Sequence, residues 1–158
     1  MSLKAEKLQE NDITKITFSG SIDEDSSQVL NELLKEKSQK ITFSFEHIEY
    51  INSLGIRSWI NFMKAFEKAR NIAFEKCTFD LILQINTYPQ FLGDAKVASF
   101  FCDFICPECN FETSQLFKSE DGLETILKKT KELKCEKCGN DMELDEFEET
   151  CFEFLKRT

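Results

Sequence analysis

The sequence lacks long hydrophobic runs. No segment approaches the roughly 18 continuous apolar residues that a membrane-spanning helix requires, so we expect no membrane-embedded part. The chain begins with the polar segment MSLKAEKLQEND, which contains no apolar region of the kind found in secretory signals. These two absences favour a soluble cytoplasmic protein.

Positive charge is also scarce. The chain contains 20 Lys and Arg residues against 29 Asp and Glu, a formal net charge of −9. Nucleic acids and anionic membrane surfaces are bound through clustered Lys and Arg, so this balance argues against both as partners. The apolar fraction is 41% and includes 16 Phe, which is too much for a disordered chain. A length of 158 residues allows one medium domain, or a small domain with an appendage.

Common catalytic patterns are missing as well. The chain has one histidine, His47, which follows a predicted strand and suits a solvated turn. We find no Gly-rich phosphate loop, no paired Cys and His, and no clear pair of acid and base residues. The sequence therefore predicts a protein that is not an enzyme.

The first hundred residues alternate between strand-like and helix-like patterns. A turn at Asn11-Asp12 is too short for a crossover, so the first two predicted strands must be antiparallel. Strands separated by helices indicate a mixed sheet with helices packed on it, an α/β fold. The predicted strands are 3–10, 13–19, 41–45, 72–77 and 95–101, and the predicted helices run from about 26 to 37, from 54 to 70, and from 79 to just before Pro89.

Two segments of this region resemble motifs of one protein family. FSGSIDEDS, residues 18–26, is similar to the turn between the second strand and first helix of the STAS domain (sulfate transporter and anti-sigma factor antagonist). SFEHIEYINSLG, residues 44–55, is similar to the third strand of that domain and the loop after it. The predicted order of elements also fits. The resemblance covers about residues 3–102 and implies a STAS-like domain over residues 1–102.

The resemblance implies a function in protein binding. STAS domains serve as antagonists of anti-sigma kinases, as parts of sensory complexes, or as cytoplasmic domains of transporters, so a bacterial-type signalling protein is expected. Its partner would be an anti-sigma-type serine kinase or a signalling complex. Ser53 takes the position of the phosphorylatable residue of the family, whereas Asn52 replaces the usual Asp and Leu54 replaces a second hydroxyl residue. The implied partner surface contains Asn52, Ser53, Leu54, Gly55, Ser21, Asp23 and Asp25.

The residues alone leave two interpretations of Ser53. Asn52 or Ser53 could simply cap the following helix, a role that contributes about 1 kcal/mol. Alternatively, a phosphate on Ser53 would add about −1.5 to −2 charges at a helix start, which tolerates negative charge. Such a phosphate would repel an acidic or apolar partner surface. A scaffold subunit that binds without any switch is the alternative function.

The cysteines are concentrated near the end of the chain. Six of the seven lie after residue 100, and the count is odd, which argues against a disulfide framework. Cys106 and Cys109 form one Cys-x-x-Cys pair, and Cys135 and Cys138 form a second after a gap of 25 residues. Four thiolates in two such pairs are typical of a tetrahedral zinc site. A redox pair, an iron–sulfur centre and free thiols are the alternatives.

The residues around the two pairs also suit a zinc ribbon. Pro107 stiffens the first turn, while Asn110 and Gly139 follow the two pairs at places where positive φ is often needed. We predict one structural Zn²⁺ in a small β-rich zinc ribbon over residues 103–158. This segment holds 15 Asp and Glu against 8 Lys and Arg, which disfavours a nucleic-acid-binding ribbon. Cys102 and Cys151 have no partner at ligand spacing and are predicted to be core residues.

Overall fold

The computed structural model describes residues 1–157 and begins with a five-stranded sheet. Its strands are β1 (Lys4–Glu10), β2 (Ile13–Ile22), β3 (Lys40–Ile51), β4 (Asn71–Glu75) and β5 (Lys96–Val97). Spatial order follows chain order, with β1 antiparallel to β2 and the other three pairings parallel. The short turn at Asn11, where φ is 56°, produces the one antiparallel pair, as predicted.

Helices fill the three connections between the parallel strands. Each parallel pair requires a crossover, which a helix supplies. These helices are α1 (Ser27–Leu33), α2 (Ser53–Phe66) and α3 (Phe79–Thr87), and a short 3-10 turn, Pro89–Phe91, follows α3. The predicted α/β class, a mixed sheet with helices packed on it, is confirmed.

An aromatic core joins α2 to the sheet. Trp59 of α2 is fully buried, and its ring centroid lies 5.4 Å from that of Phe18 on β2 and 5.5 Å from that of Phe43 on β3. Its indole Nε1 donates to the carbonyl oxygen of Phe91 at 2.9 Å, so the polar atom of this buried side chain is satisfied. The contacts fix α2, and therefore its first turn, against the sheet.

A second sheet of three strands follows. Its strands are β6 (Ser99–Ile105), β7 (Glu112–Lys118) and β8 (Glu143–Leu144), and β6 lies in the middle and is antiparallel to both neighbours. The predicted small β-rich part is thus present. Two helices, α4 (Leu123–Glu132) and α5 (Glu148–Phe152), accompany it, and a 3-10 helix, Glu153–Arg157, follows. No helix within residues 1–157 has the length and apolar character needed to cross a bilayer.

The two sheets share one core. The predicted last strand, residues 95–101, is wrong as a single strand, because the chain leaves the first sheet at Ala98 and continues as β6 in the second. Cys77 pairs with Phe100 in an isolated bridge between the sheets, and the Phe100 ring also contacts Phe154. The predicted division after residue 102 therefore falls inside β6, and a continuous set of buried side chains spans it.

Apart from the last predicted strand, the largest differences from the predicted element ends occur in α1, α2 and β3. α1 ends at Leu33 instead of about residue 37, because the Glu36 carboxylate accepts from the backbone N–H groups of Lys37 and Ser38, which favours a turn. α2 ends at Phe66 instead of residue 70, since Ala69 has a φ of 57°. β3 extends to Ile51, beyond the predicted residue 45, and this extension leads directly into the candidate site.

Candidate functional site

Asn52 starts helix α2 and makes both hydrogen bonds expected of a capping residue. Its side-chain Oδ1 accepts from the backbone N–H of Gly55 at 2.8 Å, and its carbonyl accepts from the N–H of Ile56 at 2.9 Å. Its own N–H donates to the carbonyl of Ile22 at 3.1 Å, which joins the helix start to the end of β2. Asn52 is therefore the cap. Ser53 is the first helical residue, it is exposed, and its hydroxyl has no capping role.

Gly55 allows the first turn of α2 to lie directly against the backbone of β2. A Cβ at this position would lie 2.0 Å from the carbonyl oxygen of Ile22 and 2.6 Å from the nitrogen of Asp23. Gly55 and Ser21 are both buried, with Ser21 only 6% exposed. Although Gly55 and Ser21 belong to the predicted partner surface, they lie beneath its exposed residues and offer no side chain to a partner.

The loop after β2 is held in place by its own side chains. The hydroxyl of Ser26 accepts from the N–H of Asp23 at 2.8 Å, and the Asp23 carboxylate accepts from the N–H of Asp25 at 3.0 Å. Asp23 is half-buried, whereas Asp25 is exposed. The loop therefore presents a defined acidic edge, of which Asp25 is the more accessible predicted residue.

Glu24 connects this loop to the helix start, and sequence reasoning missed it. The Asn52 amide nitrogen Nδ2 donates to the Glu24 carboxylate at 2.7 Å, and this hydrogen bond lowers the pKa of Glu24. The two segments predicted to form one surface do lie side by side. The contact also gives a reason for Asn at position 52, because an Asp there would place two carboxylates within hydrogen-bond distance of each other.

Large exposed side chains flank Ser53 in the sequence, and a third, from the end of α3, lines the same depression as Ser53. Tyr50 is 57% exposed, Leu54 is 53% exposed and Tyr88 is 44% exposed, although all three are large. A depression of about 240 Å³ is lined by Ser53, Ile56, Arg57, Ile60, Asn61 and Tyr88. Tyr88 comes from the end of α3, so its position beside Ser53 depends on the tertiary fold and has no local sequence signal. Arg57 could have been found from its place one turn after Ser53.

We expect Asn52→Ala to lower the free energy of unfolding by about 1 kcal/mol, because it removes the helix cap. Asn52→Asp retains the capping oxygen but loses the N–H donor to Glu24. We therefore expect a smaller decrease in the free energy of unfolding, and this decrease should grow as Glu24 ionises. Urea unfolding of both variants measures this. An Asn61→Ala control on the exposed face of the same helix should have little effect. Equal stability of Asn52→Ala and the wild type would contradict the capping role.

The four cysteines of the two pairs come together at one point. The Sγ atoms of Cys106, Cys109, Cys135 and Cys138 all lie within 4.8 Å of one another. Two of the separations are 3.5 Å and 3.6 Å, between Cys106 and Cys138 and between Cys109 and Cys135. Tetrahedral coordination with Zn–S bonds of about 2.3 Å places sulfur atoms roughly 3.8 Å apart. The cluster could therefore hold a metal ion.

The two Cys-x-x-Cys turns have matching backbone geometry. The N–H of Asn110 donates to the carbonyl of Cys106 at 2.8 Å, and the N–H of Gly139 donates to the carbonyl of Cys135 at 2.9 Å. Asn110 and Gly139 have φ values of 61° and 79°, as the sequence predicted. The first turn connects β6 to β7, and the second follows α4, so the cluster ties the second sheet to the helix.

Two of the four sulfurs, those of Cys135 and Cys138, also accept hydrogen bonds from N–H groups. The N–H of Lys137 donates to Cys135 Sγ at 3.3 Å, and the Asn140 amide donates to Cys138 Sγ at the same distance. Hydrogen bonds from the backbone and side chain of Asn140, together with the Cys106 thiol, lower the pKa of Cys138 to about 6. These donors therefore stabilise the thiolate form of Cys138, which is the form that binds a metal ion. The pKa of Cys109 is instead raised to about 12: a hydrogen bond from the Phe111 backbone lowers it, but burial and hydrogen bonds with the neighbouring thiols outweigh that effect.

The remaining three cysteines lie in the core. Cys77, Cys102 and Cys151 are all buried and lie outside the four-cysteine cluster. A hydrogen bond between Cys102 on β6 and Cys151 on α5 raises the pKa of the first thiol and lowers that of the second. The prediction that Cys102 and Cys151 are core residues is confirmed.

Comparison with known proteins gives similarity to solved structures. No protein-family model and no curated protein sequence matches the chain. An anti-sigma factor antagonist from Mycobacterium paratuberculosis aligns with 56% of this chain and 79% of its own, at a TM-score of 0.47 and 12% identity. The anti-sigma factor antagonist SpoIIAA in its unphosphorylated form aligns with 47% of this chain and 72% of its own, at a TM-score of 0.35 and 15% identity. At this level of similarity, a function is assigned only from the residues of the chain itself.

Proposed function

We propose that this protein is a regulatory protein-binding module of the anti-sigma-factor-antagonist type. Its partner would be an anti-sigma-type serine kinase or a related signalling complex. The partner would contact the Ser53 surface, which we define as Asn52, Ser53, Leu54, Arg57 and Tyr88 with the adjoining loop 23–25. The observation that carries the proposal is the exposed Ser53 side chain at a helix start, beside the exposed side chains of Leu54 and Tyr88.

A phosphate on Ser53 would act as the switch. The kinase would transfer the γ-phosphoryl group of ATP to Ser53 Oγ, releasing ADP and the hydroxyl proton. The helix start tolerates the added charge of about −1.5 to −2, so the fold would be retained. The phosphate would then be a strongly hydrated dianion beside the exposed side chains of Leu54 and Tyr88. Desolvating that dianion in an interface is costly, so phosphorylation would weaken partner binding.

The four-cysteine cluster would bind one structural Zn²⁺. Four thiolates around one zinc ion carry a net charge of about −2, which adds to the acidic character of the second sheet. The coordination would be closed, because Cys106, Cys109, Cys135 and Cys138 would supply four sulfur ligands, and a closed site supports a structural role. The zinc would hold the two Cys-x-x-Cys turns together and thereby fix the second sheet.

The proposed setting is the cytoplasm of a bacterium, with no enzymatic activity and no nucleic-acid or membrane partner. The net charge of −9 supports the exclusion of both polyanionic partners. A scaffold subunit that binds without a switch is the alternative, and the modification of Ser53 separates the two.

We expect an anti-sigma-type serine kinase with ATP to add one phosphate to the wild-type protein. The modification should disappear in Ser53→Ala, because the hydroxyl at that position is the acceptor. Intact-mass spectrometry followed by peptide mapping locates the phosphate. Ser58→Ala is a matched control, since Ser58 lies on the same helix and is partly buried, and it should be phosphorylated like the wild type.

A positive control protects the interpretation of a negative result. The same kinase preparation must phosphorylate an established antagonist protein in a parallel reaction. If that control is labelled while wild-type Ser53 is not, the switch is excluded and the scaffold function is favoured.

A further inference from the structure

Arg57 lies on the same helix as Ser53, and no partner for its charge is present in the described part of the chain. Within residues 1–157 its guanidinium group takes part in no ion pair and no hydrogen bond, although the other arginine with a described side chain, Arg70, donates to two carbonyl groups. Arg57 is exposed on α2. An unpaired arginine is unexpected on a chain whose net charge is −9, because Asp and Glu side chains are abundant.

The position of Arg57 brings it within reach of a group on Ser53. The two residues are four apart on one helix, so their Cβ atoms are roughly 6 Å apart on the same face. Both line the depression of about 240 Å³ beside Tyr88, and Arg57 supplies the one permanent charge among its six lining residues. A phosphate is larger than a hydroxyl and extends outward, towards the long arginine side chain. Arg is also suited to phosphate, because its planar N–H groups can donate to two oxygens at once.

The charges on the other side of Ser53 have the opposite effect. Glu24 lies beside the helix start through its hydrogen bond with the Asn52 amide, and Asp23 and Asp25 lie in the same loop. A dianion on Ser53 would therefore be repelled from the loop and attracted along the helix. Both effects direct it to Arg57.

We infer that Arg57 is the intramolecular counter-ion of a phosphate on Ser53, an inference that rests on the proposed function. In the unphosphorylated protein Arg57 offers a positive charge on the Ser53 surface. Phosphorylation pairs that charge and leaves the two residues together with about −0.5 to −1. Phosphorylation would thus change the local charge from positive to negative. It would also pair Arg57 with the phosphate, so that the guanidinium is no longer available to a partner.

The second ionisation of the phosphate tests this pairing. Phosphoserine is placed at position 53 during translation, so the measurement does not depend on any kinase, and ³¹P NMR follows the phosphate between pH 4 and pH 8. An adjacent guanidinium stabilises the dianion and lowers its pKa from about 6. We expect the pKa to rise by at least about 0.5 units in Arg57→Gln. In Arg57→Lys it should rise by less, because the charge remains while the two-oxygen contact is lost.

Lys64→Gln is the matched control, since Lys64 is an exposed cation in the last turn of the same helix. It should leave the phosphate pKa unchanged, and the Arg57→Gln shift should shrink at 1 M salt, where the screening length is about 3 Å. Equal phosphate pKa values in the wild type and Arg57→Gln would overturn the pairing, even if a kinase labels Ser53. A shifted pKa with no kinase labelling would support the pairing while rejecting the proposed switch.

Discussion

Replacement of Cys135 by serine is expected to abolish binding of the proposed zinc ion and to destabilise the whole chain by on the order of 5 kcal/mol. Cys135 is buried, and its sulfur lies 3.6 Å from that of Cys109. A serine hydroxyl does not readily ionise and is a poor ligand for zinc beside three thiolates. Native mass spectrometry should find one zinc per wild-type chain and none in the variant.

The effect should extend beyond the second sheet, because the core is continuous. Phe100 on β6 packs against Phe152 of α5 and Phe154, with ring centroids 6.1 Å and 4.9 Å away. The side chain of Asn86 on α3 donates to the carbonyl of Thr150 at 2.8 Å, which joins the end of the chain to the first sheet's helices. Loss of the metal would release the turns that fix β6, so we expect one unfolding transition at lower urea concentration, without a separate unfolding of the tail.

Cys77→Ala serves as the matched control for this prediction. Cys77 is a fully buried thiol outside the four-cysteine cluster. Its replacement by alanine leaves a small cavity, but the variant should still bind one zinc per chain. Iron in the freshly purified wild type would contradict zinc as the ion. A Cys135→Ser variant that keeps the metal with unchanged stability would contradict the structural role.

The predictions that held depend on short-range chemistry. Two Cys-x-x-Cys pairs identify the cluster because thiolate spacing is a local property, and Asn110 and Gly139 have the positive φ expected after such turns. Strand-like patterns identified the first four strands of the first sheet, and the short turn at Asn11 fixed its one antiparallel pair. These features are determined by neighbours within a few residues.

The errors occurred where distant parts of the chain decide the outcome. Residues 95–101 form one strand-like segment in the sequence, yet Val97 pairs with Phe74 in the first sheet while Phe100 pairs with Phe117 in the second. Buried apolar side chains occur in both strands, so the apolar pattern does not show the change of sheet at Ala98. Glu24 and Tyr88 were missed at the Ser53 surface for a similar reason. Glu24 comes from the loop after β2 and Tyr88 from the end of α3, so no local sequence motif indicates that either lies near the start of α2.

Gly55→Ala is expected to lower the free energy of unfolding by about 3 kcal/mol. In an ordinary helix interior the same change stabilises by up to about 1 kcal/mol, because alanine is the better helix former. Here the added methyl group would lie 2.0 Å from the carbonyl oxygen of Ile22 and 2.3 Å from its carbon. Both are backbone atoms at the end of β2, so no side-chain rotation relieves the clash. Urea unfolding therefore tests the sign of the effect as well as its size.

The strain should also disturb the Ser53 surface. Moving the first turn of α2 away from β2 lengthens the 3.1 Å hydrogen bond from Asn52 to Ile22 and separates Asn52 from Glu24. Amide exchange should therefore rise at residues 52–56 in Gly55→Ala more than in the rest of the helix. Gly122→Ala is the control for glycine replacement itself, because no atom lies within 4 Å of its Cβ position and only its φ of 83° opposes the change. If Gly55→Ala were as stable as the wild type, the helix start would not be held against β2 by this contact, and the rigid placement of Ser53 would lose its explanation.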